Sequence, residues 1–254
     1  MSIPTNTFMK NILAGTRTWG CWLQLASNIA AEAMARAGFD FLVVDMEHSP
    51  NEVPAVMAQL QAIASVGKQG VVRLPWNDAV VVKKVLDAGA LTLMFPMIQS
   101  VEEAEHAVAS TRYPPGGMRG VAGLTRGSGY GTYVDYLKTA SSEIAVTLQL
   151  ETAGAVDRIA EIAKVDGVDG LFIGPADLAA SMGLIGQLEH ADVQSRLKAA
   201  AAACKAAGRA SGILAQNEET AARYAEYGYT FIAVGSDLGM MMGRARAIAE
   251  FVRK

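Results

Sequence analysis

Short apolar runs alternate with amphipathic segments along the chain. Each run is bounded by Gly, Pro, Asp or Asn, as is typical of buried strands, and the segments between them have the three-to-four-residue spacing of helices. The pattern predicts eight strands, at residues 18–25, 39–44, 70–75, 91–95, 144–150, 171–173, 210–214 and 230–234.

Helix start and stop signals fall between these strands. Ser27 or Asn28, Asp78 and Asn217 stand where N-caps are expected, and Ser100 with Glu103 forms a capping-box pattern. Predicted helices cover residues 29–37, 51–65, 79–88, 101–110, 153–163, 192–207 and 238–252, with another opened by Asn217. Residues 113–131 are rich in Gly, Pro and Arg and lack periodicity, which predicts a long functional or mobile loop.

Eight strands that alternate with helices indicate an α/β protein with a (β/α)8 TIM barrel. No linker interrupts the rhythm, so we predict one domain over residues 1–254. A doubly wound sheet is the competing architecture. The strand count and the absence of GxGxxG after the first strand favour the barrel.

The composition narrows the class of protein. Half of the chain is hydrophobic (51%) and only 19% is charged, as expected for Ala-rich helices on a buried sheet or for a large subunit interface. A net charge of −3 without a basic run disfavours nucleic acid. No signal peptide or apolar run of membrane length is present, so we expect a cytoplasmic protein that binds no membrane. The two cysteines are far apart and are expected to be reduced.

Polar residues cluster where the predicted strands end, which is where TIM barrels carry their chemistry. These residues are Trp22, Gln24, Asp45, Glu47, His48, Arg73, Gln99, Gln149, Glu151 and Asp177. Their clustering at one end of the barrel predicts an enzyme.

Glu151 and Asp177 follow neighbouring strands, so their carboxylates are expected to lie close together. Two such groups repel each other unless they share a proton or bind a cation. Oxygen ligands suit Mg²⁺ or Mn²⁺, with Co²⁺ or Zn²⁺ as substitutes. The alternative is that each acid merely caps the helix that follows it.

Two further features point to proton chemistry and to an anion. Asp45 and His48 end the second strand, and a carboxylate beside a histidine would make a general base near neutral pH; a histidine that only caps a turn is the alternative. Arg73 interrupts an apolar strand and needs an anionic partner, either a substrate or enolate or a structural salt bridge.

Five motifs together resemble the HpcH/HpaI aldolase family of class II, metal-dependent pyruvate aldolases. They are Asp45-Met-Glu-His48, Val72-Arg-Leu-Pro-Trp76, Arg112-Tyr-Pro-Pro-Gly-Gly-Met-Arg-Gly120, Gln149-Leu-Glu151 and Val168-Asp-Gly-Leu-Phe-Ile-Gly-Pro-Ala-Asp-Leu178. The resemblance runs from about Trp19 to the last helix. It therefore rests on several motifs in order rather than on one.

The resemblance implies roles for these positions. Glu151 and Asp177 are expected to bind a divalent metal that chelates pyruvate, Arg73 to stabilise the enolate, and the Asp45/His48 pair to transfer protons. The further substrate-binding residues that it implies are Gln149, Gly174, Pro175 and Ala176 for pyruvate, and Trp22, Leu214 and Ser236 for the aldehyde. Glu47 matches a family site position without a clear role.

The resemblance also implies a homo-hexamer built as a trimer of dimers, with the C-terminal helix packed on, or swapped with, a neighbouring subunit. The Met240-Met-Met242 run suits such a contact, but it suits packing on its own barrel equally well.

The expected reaction is reversible retro-aldol cleavage of 4-hydroxy-2-oxo acids to pyruvate and an aldehyde, via a metal-bound enolate. No lysine occupies a strand end, so a Schiff-base mechanism lacks its nucleophile. The alternatives are an oxaloacetate-type decarboxylase or lyase, a CoA-ester lyase, for which no extra segment is apparent, and a non-catalytic barrel that binds a small acid.

Overall fold

Eight parallel strands close into a barrel in chain order in the computed structural model, which describes residues 1–253. The strands are β1 (Thr18–Leu23), β2 (Phe41–Asp45), β3 (Gly70–Arg73), β4 (Thr92–Phe95), β5 (Ala145–Leu150), β6 (Gly170–Ile173), β7 (Ala210–Ala215) and β8 (Phe231–Ser236). Each strand pairs with the next and β8 pairs with β1, so the predicted (β/α)8 barrel is confirmed and the doubly wound sheet is excluded.

Strand boundaries differ from the sequence prediction by two residues or fewer. Differences of two residues occur at one end of β1, β2, β3 and β8, and at β1 the cause is visible. The backbone N–H groups of Gln24 and Leu25 donate to the Asp237 carboxylate instead of to a neighbouring strand. The ladder therefore stops at Leu23.

The helices surround the barrel. They are α1 (Thr7–Leu13), α2 (Asn28–Arg36), α3 (Val53–Ala64), α4 (Ala79–Asp87), α5 (Val101–Thr111), α6 (Tyr136–Thr139), α7 (Ala153–Asp157), α8 (Ile159–Ile162), α9 (Pro175–Ser181), α10 (Ala191–Ala206), α11 (Glu218–Tyr227) and α12 (Asp237–Phe251), with a 3-10 turn at Ala140–Glu143. No helix within residues 1–253 has the length and apolar character needed to cross a membrane.

Several predicted caps are confirmed. Ser27, Asp78, Ser100 and Asn217 each accept a backbone N–H in the first turn of their helix. The single helix predicted over residues 153–163 is wrong. It breaks at Arg158, whose backbone lies outside the helical region and whose N–H donates to Ala155 O, three residues back.

The segment after β6 is also more helical than predicted. Gly174 stands at the N-cap position, Pro175 occupies the first turn of α9, and Asp177 lies in that same turn, where the sequence analysis assigned no helix. The helix stops near Ser181, and residues 182–190 run irregularly to α10. Residues 182–190 form one wall of the site described below.

The barrel interior is apolar at the end where the strands begin. α1 closes this end with Phe8 and Ile12, which pack against Phe41 and Phe231 from the strands. Gly20 and Gly212 make room for those two rings, since a Cβ at either position would collide with one of them. Because this end is filled, the accessible polar groups lie at the opposite end, where the strands finish.

Candidate functional site

A cavity of about 340 Å³ opens where the strands end. Eleven of the predicted site residues line it: Trp22, Gln24, His48, Arg73, Gln149, Gly174, Pro175, Ala176, Asp177, Leu214 and Ser236. Asp45 and Glu151 are buried behind this lining, where each binds a lining side chain. Gln99 does not join them, because it is exposed at the start of α5.

Arg73 is held by three neighbours. Its Nε and Nη2 donate to the two carboxylate oxygens of Asp45, at 2.9 and 2.7 Å. Nη1 lies 2.8 Å from Glu47 Oε2 in an ion pair, and the guanidinium carbon sits 4.9 Å from the centroid of the Trp22 ring. A guanidinium has five N–H groups, so N–H groups on both Nη1 and Nη2 remain available to a ligand in the cavity.

Strand register explains the Asp45–Arg73 pair. Asp45 on β2 lies directly beside Arg73 on β3, as the last paired residues of the two strands. Both side chains are buried, and the two-pronged geometry is the strong form of this interaction. The sequence left two partners open for Arg73, an anionic substrate or a structural salt bridge. The salt bridge is present, and it leaves N–H groups of Arg73 for a ligand.

The predicted Asp45–His48 pair does not form in this structure. Asp45 Oδ1 accepts the backbone N–H groups of Glu47 and His48, which stabilise the turn, and the rest of the carboxylate faces Arg73. The His48 ring is 62% exposed and its Nε2 lies 3.9 Å from Glu47 Oε2. The acid that faces this imidazole is therefore Glu47, because the turn directs the carboxylate of Asp45 inward.

Hydrogen bonds from Ser49, Asn51 and Gln59 stabilise the turn after β2. Asp45 O accepts hydrogen bonds from Ser49 Oγ and Asn51 Nδ2, at 2.5 and 2.6 Å. Gln59 of α3 in turn donates to Asn51 Oδ1 at 2.6 Å. These contacts fix the backbone that presents Glu47 and His48 to the cavity.

Glu47 carries an unusual charge state. Its pKa is raised to about 7, mainly by burial; the positive charges of Arg73 and His48 oppose this rise, and the negative charges of Glu151 and Asp45 contribute to it. The carboxyl group therefore exchanges a proton near neutral pH. Such perturbed acids cluster at functional sites.

Glu47 should make the metal-free protein less stable as the pH rises. Its folded pKa lies above its ordinary value of 4.5, so the folded state holds the proton longer than the unfolded state. The free energy of unfolding therefore falls between about pH 4.5 and pH 7. In chelator, we expect Glu47→Gln to melt at the wild-type temperature at pH 5 and above it at pH 8. Equal melting temperatures at pH 8 would contradict this assignment, which thermal denaturation at both pH values tests.

Glu151 sits in a tight cradle at the end of β5. Its Oε1 accepts the N–H of Met97 at 2.9 Å, and its Oε2 accepts Gln149 Nε2 at 2.5 Å. Met97 has a φ of 53°, uncommon for a residue with a side chain. Burial raises the pKa of Glu151; the two hydrogen bonds oppose this rise and the charge of Asp177 adds to it.

Neither acid caps the helix that follows it. Thr152 accepts the N–H of Ala155 and so caps α7 in place of Glu151. Gly174 holds the N-cap position of α9, and Asp177 lies inside the first turn with its side chain exposed to the cavity. The capping alternative is therefore excluded for both residues.

The pair fits a hard divalent cation with few protein ligands. Glu151 is buried and repelled by Asp177, a cost that a cation between them would remove. Within residues 1–253 no group of three or more His, Cys, Asp and Glu side chains could hold a metal. Mg²⁺ commonly binds through one or two carboxylates and completes its shell with water or substrate, and this is the site that the described residues offer.

Buried polar atoms without a partner also face this region. Trp22 Nε1 and Gln149 Oε1 make no hydrogen bond within residues 1–253. Both residues line the cavity. A buried polar atom left unpaired costs free energy, so these two atoms favour a polar ligand here.

Sequence reasoning missed several residues that shape the site. Met97 is apolar and acts through its backbone N–H, which no residue type signals. Leu188 and Gln216 lie in loops whose path depends on tertiary contacts. Glu47 was singled out from the sequence, but its role there was left open, and the structure supplies its contacts with Arg73 and His48.

Comparison with known proteins places this geometry in a family. The family model described as HpcH/HpaI aldolase/citrate lyase matches residues 18–243. A 4-hydroxy-2-oxo-heptane-1,7-dioate aldolase of Salmonella dublin is 49% identical over 245 residues, which cover 96% of this chain and 93% of that relative.

Two solved structures are similar throughout. An HpcH/HpaI aldolase/citrate lyase family protein from Burkholderia cenocepacia J2315 has a TM-score of 0.94 and 44% identity, covering 98% of this chain and 100% of that one. An HpcH/HpaI aldolase from Desulfitobacterium hafniense DCB-2 has a TM-score of 0.88 and 28% identity, covering 96% of each chain.

Proposed function

Since the chain belongs to the HpcH/HpaI aldolase/citrate lyase family, we propose that it cleaves 4-hydroxy-2-oxo acids reversibly to pyruvate and an aldehyde. It is a carbon–carbon lyase and a class II pyruvate aldolase, like the relatives named as aldolases. The alternatives, a decarboxylase and a non-catalytic barrel, are not favoured, because relatives covering nearly the whole chain are named as aldolases. A cytoplasmic location stays a prediction.

One observation supports this reaction above the others. A buried guanidinium, that of Arg73, is fixed by Asp45, Glu47 and Trp22 and faces the same cavity as the Asp177 carboxylate. Retro-aldol cleavage places negative charge on the oxygen of the departing pyruvate enolate. Donors that are fixed before the reaction stabilise such charge without reorganising.

The residues divide the steps among them. The Gly174–Ala176 turn and Gln149 hold the carboxylate and the keto group of the substrate, and Arg73 donates to the keto oxygen. His48 takes the proton from the 4-hydroxyl, the bond between C3 and C4 breaks, and its electrons move to the keto oxygen as the aldehyde leaves. The enolate then gains a proton at C3 to give pyruvate. Glu47 Oε2 lies 3.9 Å from His48 Nε2, so Glu47 is placed to exchange the proton that moves between His48 and the substrate.

The aldehyde is expected to lie toward Trp22, Leu214 and Ser236, which line the same cavity. Ser236 Oγ already accepts the N–H of Gly239 and caps α12. Its hydroxyl hydrogen remains free to donate to a polar aldehyde.

Glu151 and Asp177 would hold a divalent cation, with Mg²⁺ or Mn²⁺ the best match to two carboxylates and Co²⁺ or Zn²⁺ as substitutes. When bound, the cation supplies Lewis acidity to the 2-oxo acid and offsets the negative charge of the site.

Gly174 should be essential for this metal site. A Cβ on Gly174 would collide with Oε2 of Glu151, although its φ of −86° suits any residue. We expect Gly174→Ala to fold and to weaken Mn²⁺ binding, measured by calorimetry, by about tenfold or more, the scale seen when residues that orient metal ligands are changed.

Gly154→Ala is the matched control, because nothing lies within 4 Å of the added methyl group. It should bind Mn²⁺ as the wild type does. Wild-type affinity in Gly174→Ala would contradict the assignment of Glu151 as a ligand.

The reaction is tested by a coupled assay of pyruvate release. A panel of 4-hydroxy-2-oxo acids is supplied with Mg²⁺ or Mn²⁺, and the aldehyde is measured beside the pyruvate. Equal amounts of both products support the aldolase. Pyruvate and carbon dioxide from oxaloacetate, without turnover of any hydroxy-oxo acid, would favour a decarboxylase.

The exposed C-terminal helix supports a homo-oligomer. α12 extends from the barrel, and its Met240, Met241, Ile248 and Phe251 are 43%, 50%, 48% and 78% exposed. Exposed apolar side chains of this kind are stabilised when another subunit covers them. We propose a hexamer, a trimer of dimers, with α12 packed on a neighbouring subunit.

The hexamer proposal makes a prediction for light scattering after size exclusion. The wild type should elute at six times the mass of the chain. Met241→Glu should give smaller species, because it places a charge in the apolar contact. A wild type that elutes as a monomer would contradict the proposal.

A further inference from the structure

One residue that contacts the proposed metal site has an unfavourable backbone conformation. Met97 follows β4 and has a φ of 53°, in the left-handed region where a Cβ crowds the following carbonyl oxygen. A residue keeps such a conformation only when the structure around it fixes it, and residues of this kind cluster at functional sites. The contacts of Met97 therefore show what its conformation achieves.

The side chain of Met97 does not explain the conformation. It is half-buried and lines a shallow depression together with Trp76 and His106. This depression shares no lining residue with the cavity at the strand ends. The link between Met97 and the cavity is therefore its backbone.

Two consecutive backbone N–H groups of this turn point to the end of β5. Met97 N donates to Glu151 Oε1 at 2.9 Å, and Ile98 N donates to Gln149 O at 3.1 Å. Successive N–H groups alternate in direction along an extended strand, and a left-handed residue in a turn lets them converge. The conformation of Met97 therefore allows β5 to receive both hydrogen bonds.

The rest of the turn is fixed by other elements. The ring of Pro96 restricts the backbone immediately before Met97. Gln99 N donates to Glu103 Oε2 at 2.7 Å at the start of α5, and Gln99 O accepts Arg158 Nη1 at 3.3 Å. Arg158 lies at the break between α7 and α8. These contacts hold Met97 in a conformation that an isolated residue would rarely adopt.

The N–H of Met97 orients the Glu151 carboxylate. Oε1 of this carboxylate accepts the N–H, and Oε2 accepts Gln149 Nε2. The second hydrogen bond comes from a side-chain amide whose own oxygen has no partner within residues 1–253, whereas the first comes from a fixed backbone. The Met97 N–H is therefore the more rigid of the two supports.

We infer that Met97 is a positioning residue for Glu151, and that it acts through its left-handed backbone instead of its side chain. The inference rests on the proposed function, in which Glu151 and Asp177 hold a divalent cation. Replacing a residue that orients a metal ligand commonly lowers metal affinity about 10- to 100-fold. The unfavourable conformation of Met97 is retained because it orients this ligand.

Substitutions that accept or exclude the left-handed conformation test this inference. Met97→Gly keeps the N–H and adopts a positive φ freely, whereas the β-branched Met97→Val is strongly disfavoured there. Calorimetry measures the Mn²⁺ affinity of each variant. Met97→Val should bind Mn²⁺ about tenfold more weakly than the wild type, or weaker still. Met97→Gly should stay within about threefold of the wild type, because the N–H that orients Glu151 is kept.

Tyr130→Val is the matched control for backbone strain. Tyr130 also has a positive φ, of 55°, but it is exposed in a loop that does not line the cavity. This variant should melt at a lower temperature in chelator and should bind Mn²⁺ as the wild type does. Wild-type affinity in Met97→Val, or an equal loss of affinity in Met97→Gly and Met97→Val, would overturn the inference.

A second measurement does not need Met97→Val to fold. Deuterium exchange of the Met97 amide is followed by NMR in chelator, in the wild type and in Glu151→Ala. Loss of the acceptor should speed this exchange about tenfold, the value of one hydrogen bond to a charged group. The amide of Ile98, which donates to Gln149 O, should keep its wild-type rate. Equal exchange of the Met97 amide in both proteins would overturn the inference.

These outcomes separate the inference from the proposed function. A wild type that binds no Mn²⁺ overturns the metal site and the inference together. A wild type that binds Mn²⁺ and exchanges the methyl protons of pyruvate with solvent, with unaltered Mn²⁺ affinity in Met97→Val, overturns the inference alone.

Discussion

Arg73→Lys should lower kcat about 10²- to 10³-fold, the loss seen when one fixed donor to a developing oxyanion is removed. Lysine keeps the positive charge, but it cannot donate two parallel hydrogen bonds to Asp45 while it also reaches Glu47 and the substrate. Charge alone is therefore insufficient. Steady-state pyruvate release with saturating Mg²⁺ measures the change.

Folding must be separated from chemistry in this experiment. Arg73→Ala leaves the fully buried Asp45 without its cation, a change that commonly costs about 3–5 kcal/mol. That variant should therefore lose both stability and activity. Arg73→Lys should retain most of its melting temperature, so its rate is the informative value.

A matched control addresses general effects of the substitution. Arg126 lies outside the cavity, where its Nη1 donates to Ala88 O. Arg126→Lys should turn over at the wild-type rate. Near-wild-type kcat in Arg73→Lys would show that the fixed guanidinium does not stabilise the enolate.

Glu151→Gln and Asp177→Asn should each be at least as stable as the wild type without metal, and less stable than the wild type when metal is added. In chelator, each variant should melt at or above the wild-type temperature, because it removes one of two carboxylates that repel each other. The folded pKa of Glu151 is raised, so its ionised form opposes folding above its ordinary pKa.

Added metal should reverse this order. The wild type gains stability from a bound cation, by about 2.7 kcal/mol when the metal is at 100 times its Kd. The variants should gain little and should release no pyruvate above the background. Thermal melting at increasing Mg²⁺ or Mn²⁺, with and without chelator, measures both effects.

Glu226→Gln is the control for loss of a carboxylate, because Glu226 is exposed on α11. It should respond to metal as the wild type does. Equal stabilisation by metal in Glu151→Gln, Asp177→Asn and the wild type would place the metal elsewhere.

The strands were predictable because each is a short buried run between turn residues. Their ends also placed Arg73, Glu151 and Asp177 at one face, since all strands of a barrel finish on the same side. The helix after β6 was missed because its seven residues are too few for a periodic pattern. The break at Arg158 depends on local backbone geometry that residue types do not signal.

The pairing of side chains within the site was less accessible. Asp45 and His48 stand three residues apart, which made a pair attractive, but the turn directs the Asp45 carboxylate to Arg73 on the next strand. The register between β2 and β3 decides this contact, and the sequence of either strand alone does not predict that register. The same limit hid Met97, whose N–H reaches Glu151 across two strand ends.

Exchange of the pyruvate methyl protons with deuterated water, followed by NMR, tests the central proposal of a metal-dependent pyruvate enolate most directly. With Mg²⁺ the wild type should exchange these protons without any aldehyde present. Chelator and the Asp177→Asn variant should each stop the exchange. Folded wild-type protein that leaves the methyl protons in place with Mg²⁺ bound would contradict it.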